Sequence, residues 1–347
     1  ETARYPNEDI TWETARKTNL GVELGLFDKL ELQADYFMES RWNILMSRAS
    51  IPTTMGLQAD VMANVGKAKS SGIDLSLNYN HMINNDAWLT GMANFTYATS
   101  EFTAYEEPDY SATPWKSKLG TSLNQNFGYV AERLFADEED IRNSPTQFGN
   151  YMAGDIKYKD LNNDGVIDSY DRTYDHKYYQ PTPEIVYGFG VNAEWKGFFV
   201  GVFFQGTAHT SANMLANNYA LLPFTQGVDN GSGRTEISDR WLAENPYNQD
   251  VFFPRLHTSN FSHNTEKSTW WYRNAGFLRL KNIEIGYQFN DKILKQLRMK
   301  NLRVYLQGNN VAVWDNIKFW DPELGSANSG AKYPICSTYS LGLEVTF

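Results

Sequence analysis

The sequence predicts an all-β fold, namely the C-terminal part of a large antiparallel transmembrane β-barrel with long extracellular loops. The last nine residues, 339–347, alternate apolar and polar side chains with a period of two, which is typical of a strand between lipid and a wet interior. Aromatic residues make up 15% of the 347 residues, as in barrels with aromatic girdles. No apolar run approaches the ~18–20 residues of a membrane helix, so any crossing has to use strands.

The same alternation recurs along the chain and predicts nine strands. They cover residues 18–26, 30–39, 73–80, 88–100, 185–193, 198–206, 283–289, 302–309 and 339–347. Tight turns at 27–29, 84–86 and 196–197 join strands at one end of the predicted sheet. Long polar loops join them at the other end, at 46–69, 101–184, 207–269 and 314–337. Short periplasmic turns and long outer loops are typical of transmembrane barrels.

The strand count predicts a part of a larger barrel. Residues 117–135 could add one strand pair, which gives eleven, and neither nine nor eleven strands closes a bacterial single-chain barrel, where the number is even. A self-contained β-sandwich is the alternative. The chain begins at Glu1 without an initiator Met or a leader. We therefore expect either a processed leader or, as the strand count favours, a piece of something longer.

The net charge and the cysteine content exclude several classes of partner and site. The formal net charge of −10 at pH 7 argues against a nucleic-acid partner, which would need clustered Lys and Arg. It indicates polar, acidic loops that face the outside. The single cysteine, Cys336, permits no internal disulfide and no cysteine-based metal site.

Eight stretches, in order along the chain, carry a family resemblance. They are ITWETARKTNLGVEL (10–24), NVGKAKSSGIDL (64–75), GDIKYKDLNNDGVID (154–168), PEIVYGFG (183–190), FLRLKNIEIGY (277–287), NLRVY (301–305), DPE (321–323) and the terminal strand. Each motif alone is weak, but eight in sequence are specific. Together they closely resemble the C-terminal portion of the SusC-like TonB-dependent transporters of Bacteroidetes outer membranes.

This resemblance implies a 22-stranded outer-membrane barrel that an N-terminal domain plugs and that a SusD-like surface lipoprotein caps. It also implies import of oligosaccharides, or of peptides in some members, with energy delivered by TonB. The plug, the TonB-contacting segment and the first half of the barrel are absent from residues 1–347. We therefore expect this chain to pair with the N-terminal part of the same transporter, to contact TonB through that part, and to contact membrane lipid. Within it we expect a loop insertion at about 129–184 and a long outer loop at about 207–269.

One loop has the spacing of an EF-hand-type calcium site. Gly165 lies at the sharp turn. The expected oxygen ligands are the side chains of Asp160, Asn162, Asp164, Asp168 and Asp171 and the main-chain carbonyl of Val166. The predicted role of calcium is structural, because carboxylates this close repel one another unless a cation holds them. The alternative is an Asx-rich turn stabilised by its own side-chain to backbone hydrogen bonds.

The cluster Trp270, Trp271 and Tyr272 is the candidate ligand-binding site, because sugar rings stack on aromatic faces in aromatic-lined pockets. The alternative, which their position at the start of a strand favours, is the outer aromatic girdle. Further loop aromatics open to both interpretations are Tyr219, Trp241, Tyr247 and Trp320. The side chains expected to face inward, with plug contact favoured over ligand contact, are Arg303, Tyr305, Gln307 and Asn309.

No pattern in the sequence indicates catalysis, so we expect that the chain is not an enzyme. The five His residues are scattered and have no His-x-x-x-His spacing. The acidic run 137–140 is most simply a helix start, where carboxylates suit the helix dipole. The predicted function is glycan import together with a SusD-like lipoprotein. The alternatives are a peptide importer of the same family and a non-transporting surface glycan-binding or adhesin β-protein.

Overall fold

A computed structural model of the chain describes residues 5–216, 221–224, 233–259 and 261–347. Its strands are β1 (Thr14–Leu26), β2 (Leu30–Ser47), β3 (Met62–Asn84), β4 (Ala87–Ala104), β5 (Gly128–Tyr129), β6 (Ala131–Leu134), β7 (Ile156–Tyr158), β8 (Arg172–Thr173), β9 (Ile185–Trp195), β10 (Phe198–Ala208), β11 (Ser211–Asn213), β12 (Tyr272–Asn274), β13 (Phe277–Gln288), β14 (Asn301–Asp315) and β15 (Thr338–Thr346). The α-helices are α1 (Glu138–Arg142), α2 (Ser262–Thr265) and α3 (Asp291–Leu297). No helix in these ranges has the length and apolarity that crossing a membrane requires.

Nine strands form one sheet in the order β1-β2-β3-β4-β9-β10-β13-β14-β15, and every neighbouring pair is antiparallel. The predicted all-β antiparallel fold with nine main strands is therefore confirmed. The region 117–135 adds no crossing to this sheet. Its short strands β5 and β6 pair instead with β8 and β7 in separate two-stranded sheets.

The register separates an apolar face from a polar face. Leu24 pairs with Leu32, Phe95 with Tyr187, and Leu306 with Leu341. These side chains share one face, on which Val191 is 45% exposed, Leu306 62% and Leu343 67%. The opposite face carries side chains such as Asp74, which accepts a hydrogen bond from Thr96 on the neighbouring strand. An apolar face of this extent without protein cover suits contact with hydrocarbon, as in a barrel wall.

Strands β2 and β3 are longer than the sequence predicts. Part of the predicted loop 46–69 is strand, because β2 continues to Ser47 and β3 begins at Met62. The alternation fades there, at small and polar residues such as Ala63 and Lys69, but the main-chain ladder continues. With 18 and 23 residues, the two strands exceed the ~9–11 residues that cross a bilayer, so their ends extend beyond it.

Short turns join the strands at the end of the sheet opposite the long loops, as predicted. Lys196 and Gly197 both have positive φ, 51° and 86°, which is the geometry of a two-residue hairpin turn. A Cβ on Gly197 would lie 2.4 Å from the carbonyl oxygen of Gln288, so glycine is required there. Helix α3 forms the last turn at this end and is capped by Asn290, whose side chain accepts from Ile293 N at 3.3 Å.

The hydrophobic core of the protein lies in the long loops and not in the sheet. We call the described residues of 105–184, 209–276 and 316–337 the loop cap. The buried core residues are Tyr129, Leu134, Ile156, Tyr158, Ile167, Ala212, Met214, Leu215, Leu221, Trp241, Phe252, Phe253, Trp271, Ala275 and Ile317. All three loops contribute to this one cluster. The prediction of simple polar loops missed it, because the apolar residues in these loops follow no regular period.

Candidate functional site

A buried carboxylate joins two of the cap loops. Asp155 is fully buried, and it accepts hydrogen bonds from Arg255 Nη2 at 3.0 Å and Asn264 Nδ2 at 2.9 Å. The Nε2 atom of His257 lies 2.9 Å from Asp155 Oδ1, and the His257 ring stacks on Phe261. Burial by itself would raise the pKa of Asp155, but the hydrogen bonds from His257 and Arg255 outweigh it and lower that pKa. The ionised carboxylate therefore ties together residues about a hundred positions apart.

A second ion-pair cluster fixes the last outer loop to the sheet. Arg279 of β13 is 2% exposed, and its Nη2 lies 2.6 Å from both carboxylate oxygens of Asp321. Its Nε lies 3.2 Å from Glu323 Oε2. Both acids belong to the motif 321–323, which begins a 3-10 turn at Pro322–Leu324. The motif therefore anchors the loop 316–337 to the inner face of β13.

Two open pockets lie side by side in the cap. The first, which we call the Trp270 pocket, has a volume of about 620 Å³ and is lined in part by Trp115, Lys159, Lys177, Trp270 and Arg273. The second, the Gln125 pocket, has a volume of about 750 Å³ and is lined in part by Gln125, Tyr179 and Glu184. They share Trp115 and the segment 175–178 as a common wall. Both volumes fall in the range of ~300–1,000 Å³ that suits small ligands.

The shared wall contains a neutral histidine. His176 Nε2 lies 3.0 Å from the carbonyl oxygen of Asn126, so this nitrogen is the donor of a hydrogen bond. Burial lowers the pKa of His176 and outweighs the hydrogen bonds and the neighbouring Asp175 that would raise it. At neutral pH the imidazole therefore offers hydrogen bonding but no charge to either pocket.

A third cavity, of about 620 Å³, lies on the polar face of the sheet towards the short turns. Arg303 of β14 pairs with Glu284 of β13 and lies 3.9 Å from Glu344 of β15. Its guanidinium also lies 4.2 Å from the centre of the Phe199 ring. Arg303 and Gln307, two of the residues predicted to face inward, line this cavity. The inner face is thus charged and hydrogen-bonded.

The loop 160–171 is held by hydrogen bonds to its own main chain. Asp160 accepts from Asn163 N at 2.6 Å and Gly165 N at 2.8 Å, and buried Asp171 accepts from Leu161 N at 2.7 Å and Asp168 N at 2.8 Å. Burial raises the pKa of Asp171, and the nearby carboxylates of Asp160 and Asp168 add to that rise. Over the described ranges, no group of three or more His, Cys, Asp or Glu side chains is arranged to hold a metal. Calcium binding by this loop stays a prediction.

Chelation distinguishes the two interpretations of this loop. If calcium holds it, EDTA should increase hydrogen exchange of the amides of 160–171 in the protein, and calcium should restore protection with a Kd of order 10⁻⁴–10⁻³ M. Asp160→Ala should abolish the calcium response, whereas Asp109→Ala, at an exposed site of the same loop region, should leave it intact. Exchange that is the same with and without EDTA in the unmodified protein would show that the turn needs no ion.

The amino-acid sequence of this sheet and cap matches a known family. The profile of the family described as TonB dependent receptor-like, beta-barrel, matches residues 1–311. The chain belongs to this family. Membership accounts for the exposed apolar face, because such barrels lie in the bacterial outer membrane, where that face contacts lipid. The predicted localisation is therefore confirmed.

Individual relatives agree with this family. TonB-dependent receptor P3 from Formosa agariphila is 24% identical over 368 residues, which cover 99% of this chain and 35% of that protein. TonB-dependent receptor SusC from Bacteroides thetaiotaomicron is 23% identical over 352 residues, which cover 98% of this chain and 32% of that protein. The RagAB peptide transporter structure superposes with a TM-score of 0.69 at 23% identity and covers 100% of this chain and 37% of that one.

These matches confirm the resemblance to part of a SusC-like receptor. The chain spans about a third of the length of the relatives it matches. The relatives are TonB-dependent receptors, which is consistent with the expectation that this receptor chain is not an enzyme.

The structure separates the three residues of the predicted aromatic site. Trp271 and Tyr272 of this receptor chain are almost fully buried, at 0% and 1% exposure, so neither ring faces a ligand or lipid. Trp271 Nε1 donates to the carbonyl of Asn264 at 2.8 Å, which fixes the ring in the cap core. Both the ligand and the girdle interpretations are therefore corrected for these two residues. Trp270 lines the large Trp270 pocket, whereas Trp271 borders only a small cavity of about 30 Å³ among the described residues. Tyr219 lies outside the described residues.

Sequence reasoning missed most of the residues that line the cap pockets of this receptor barrel. Lys177 and Arg273 belong to no motif, and Lys159 lies in the motif 154–168 without an expected role there. The three side chains meet only because strands β7, β8 and β12 bring their loops together. Asp155 was part of a family motif, but its partners lie 100 or more residues away. The one available signal was the density of aromatic residues in segments otherwise predicted to be polar loops.

Proposed function

We propose that this chain forms the C-terminal barrel part of an outer-membrane transporter that imports oligosaccharides. The observation that carries the proposal is the two-sided sheet, with an exposed apolar face and a charged inner face across nine strands. A surface adhesin folded in water would bury its apolar face, whereas Val191, Leu306 and Leu343 are exposed here. A charged inner face suits a large barrel that surrounds a plug, water and passing cargo.

The cap pockets support a glycan as cargo. The indole nitrogens of Trp115 and Trp270 donate to main-chain carbonyls at 2.7 Å and 3.0 Å, so both rings are held in place at the wall of the Trp270 pocket. Fixed aromatic rings beside a few polar groups suit the stacking of sugar rings. Peptide import is the second candidate, because the RagAB structure, which shares this fold, is that of a peptide transporter.

We propose three protein partners. The edge strands β1 and β15 of the sheet carry main-chain groups that need partners within a membrane, and further strands from an N-terminal part of the same transporter would supply them. TonB would act through that N-terminal part. A SusD-like lipoprotein would cover the barrel at the end where the loop cap lies. The last two partners rest on the family resemblance.

Deletion of the gene tests cargo class directly. A deletion strain is expected to lose growth on at least one oligosaccharide as sole carbon source and to grow normally on monosaccharides. Complementation with the unmodified gene should restore growth, and the detergent-extracted receptor should co-purify with a lipoprotein.

Growth on peptide mixtures separates the two candidates. A deletion strain that fails only on peptides would replace the glycan assignment with peptide import. Unimpaired growth on every oligosaccharide and peptide tested would contradict import and favour a non-transporting surface protein.

A further inference from the structure

We propose that the Trp270 pocket binds the anionic group of an acidic oligosaccharide, a sugar chain that carries carboxylate or sulfate groups. This inference rests on the proposed glycan import and narrows its substrate class. The argument starts from a contrast of charge. The whole chain has a formal net charge of −10, but three cationic side chains, Lys159, Lys177 and Arg273, line this one pocket.

The negative charges at the pocket do not balance the positive ones. Asp175 is the one carboxylate among the described lining residues. His176, which also lines the pocket, is neutral at neutral pH because burial lowers its pKa. The lining therefore has two positive charges in excess. A cleft lined by one sign of charge concentrates ligands of the opposite sign.

Arg273 is the strongest single indication. Its Nη1 donates to the main-chain carbonyls of Trp270 and Tyr272, and the Tyr178 hydroxyl is a further partner. None of these partners is an anion. Across the described ranges no carboxylate forms an ion pair with this guanidinium, whereas Arg133, Arg255 and Arg279 of the same cap and sheet each have one. Burial lowers the pKa of Arg273, which is the sign of a desolvated cation.

A desolvated cation is costly without a counter-ion, so an anion from outside the chain is its natural partner. Guanidinium groups suit the planar, two-oxygen geometry of carboxylate and the oxygens of sulfate. The exposed ammonium groups of Lys159 and Lys177 form no ion pair within the described part of the chain and can follow a flexible ligand.

The rest of the lining favours a sugar as the carrier of that anion. Trp115 and Trp270 present held aromatic rings, and Gln249 and Thr269 add uncharged polar groups. The Gln125 pocket continues from the shared wall at Trp115 and 175–178, so a chain of several sugars can extend from one pocket into the other.

Binding to the full receptor in detergent tests the inference. The probes are a tetramer of galacturonic acid, its methyl ester, a sulfated oligosaccharide, its desulfated form and an acidic pentapeptide. Calorimetry is expected to show that the galacturonate tetramer or the sulfated sugar binds at least tenfold more tightly than its neutral counterpart. Which of the two acidic sugars binds identifies the anionic group.

Three variants connect that binding to the pocket. Lys177→Gln is expected to weaken binding of the acidic sugar about tenfold, and Lys159→Gln with Lys177→Gln about a hundredfold. Lys292→Gln makes the same change of charge in α3, at the opposite end of the sheet, and should leave affinity unchanged. Because both pocket lysines are exposed, their variants should fold even if an Arg273 variant does not.

Three other results would contradict the inference, and each contradicts a different part of it. If the strain imports a neutral oligosaccharide and the receptor binds acidic and neutral probes equally, the acidic class is wrong while glycan import stands. If only the pentapeptide binds, and Lys177→Gln weakens it, the pocket is an anion site for peptides. If the lysine variants bind the acidic sugar as the unmodified receptor does, the site lies elsewhere.

Discussion

Replacing Asp155 with alanine is expected to destabilise the loop cap locally by about 3–5 kcal/mol, because breaking a buried ion pair leaves its partner charge uncompensated. The lost carboxylate accepts from Arg255, Asn264 and the main-chain nitrogen of Met152, the last at 2.9 Å. Without it, Arg255 has no counter-ion in the described part of the cap. Hydrogen exchange of the amides of 252–265 in the full receptor measures the effect, and protection there should fall at least a hundredfold.

The matched control is Asp250→Ala, which removes an exposed carboxylate from the same loop region and should leave exchange unchanged. Asp155→Asn keeps the shape of the side chain and loses its charge. The protection of the amides in this variant should therefore lie between that in Asp155→Ala and that in Asp250→Ala. Equal protection in Asp155→Ala and the unmodified receptor would mean that the apolar core alone holds these loops together.

The pH dependence of the cap follows from the same carboxylate. The hydrogen bonds from His257 and Arg255 overcome the effect of burial and lower the pKa of Asp155 in the folded state. A group with a lowered folded-state pKa stabilises the fold above its unfolded value, about 4 for Asp, and loses that contribution as pH falls through the folded value. The cap should therefore keep this contribution at neutral pH and lose it only below about pH 4.

Replacing Arg279 with alanine is expected to release the loop 316–337 from the sheet, also at a local cost of about 3–5 kcal/mol. The guanidinium is buried and contacts Asp321 through both carboxylate oxygens and Glu323 through Nε. Its removal leaves two neighbouring carboxylates without that cation, so they repel each other. Limited proteolysis of the receptor should then cut within 316–337 much faster than in the unmodified protein.

Arg279→Lys provides a graded comparison. Lysine keeps the charge, but its ammonium group lacks the planar array of donors with which a guanidinium contacts Asp321 and Glu323 together. Arg279→Lys should therefore restore only part of the resistance to cleavage. In Arg142→Ala, at an exposed position of α1, the loop 316–337 should be cleaved at the same rate as in the unmodified receptor. If Arg279→Ala leaves the loop resistant, the anchor lies in the apolar contacts around Ile317.

The sequence by itself determined the wall of the barrel. Strict alternation from Leu20 to Leu24 and from Tyr339 to Phe347 defines both the strands and the face that contacts lipid, since a strand repeats every two residues. Short turns such as Lys196 and Gly197 then set the register of the hairpins. The strand ends were less predictable, because main-chain pairing continues through small and polar residues at which the alternation disappears.

Only the tertiary structure decided what the long loops do. Trp270, Trp271 and Tyr272 look alike in sequence, yet Trp271 and Tyr272 are buried in the cap and Trp270 lines the Trp270 pocket. Asp155 and its partners, and the three cations of the Trp270 pocket, come from loops far apart in the chain. A periodic pattern reports which face of a strand is apolar. It carries no information about irregular segments, whose neighbours are set by how aromatic side chains from separate loops pack into one core.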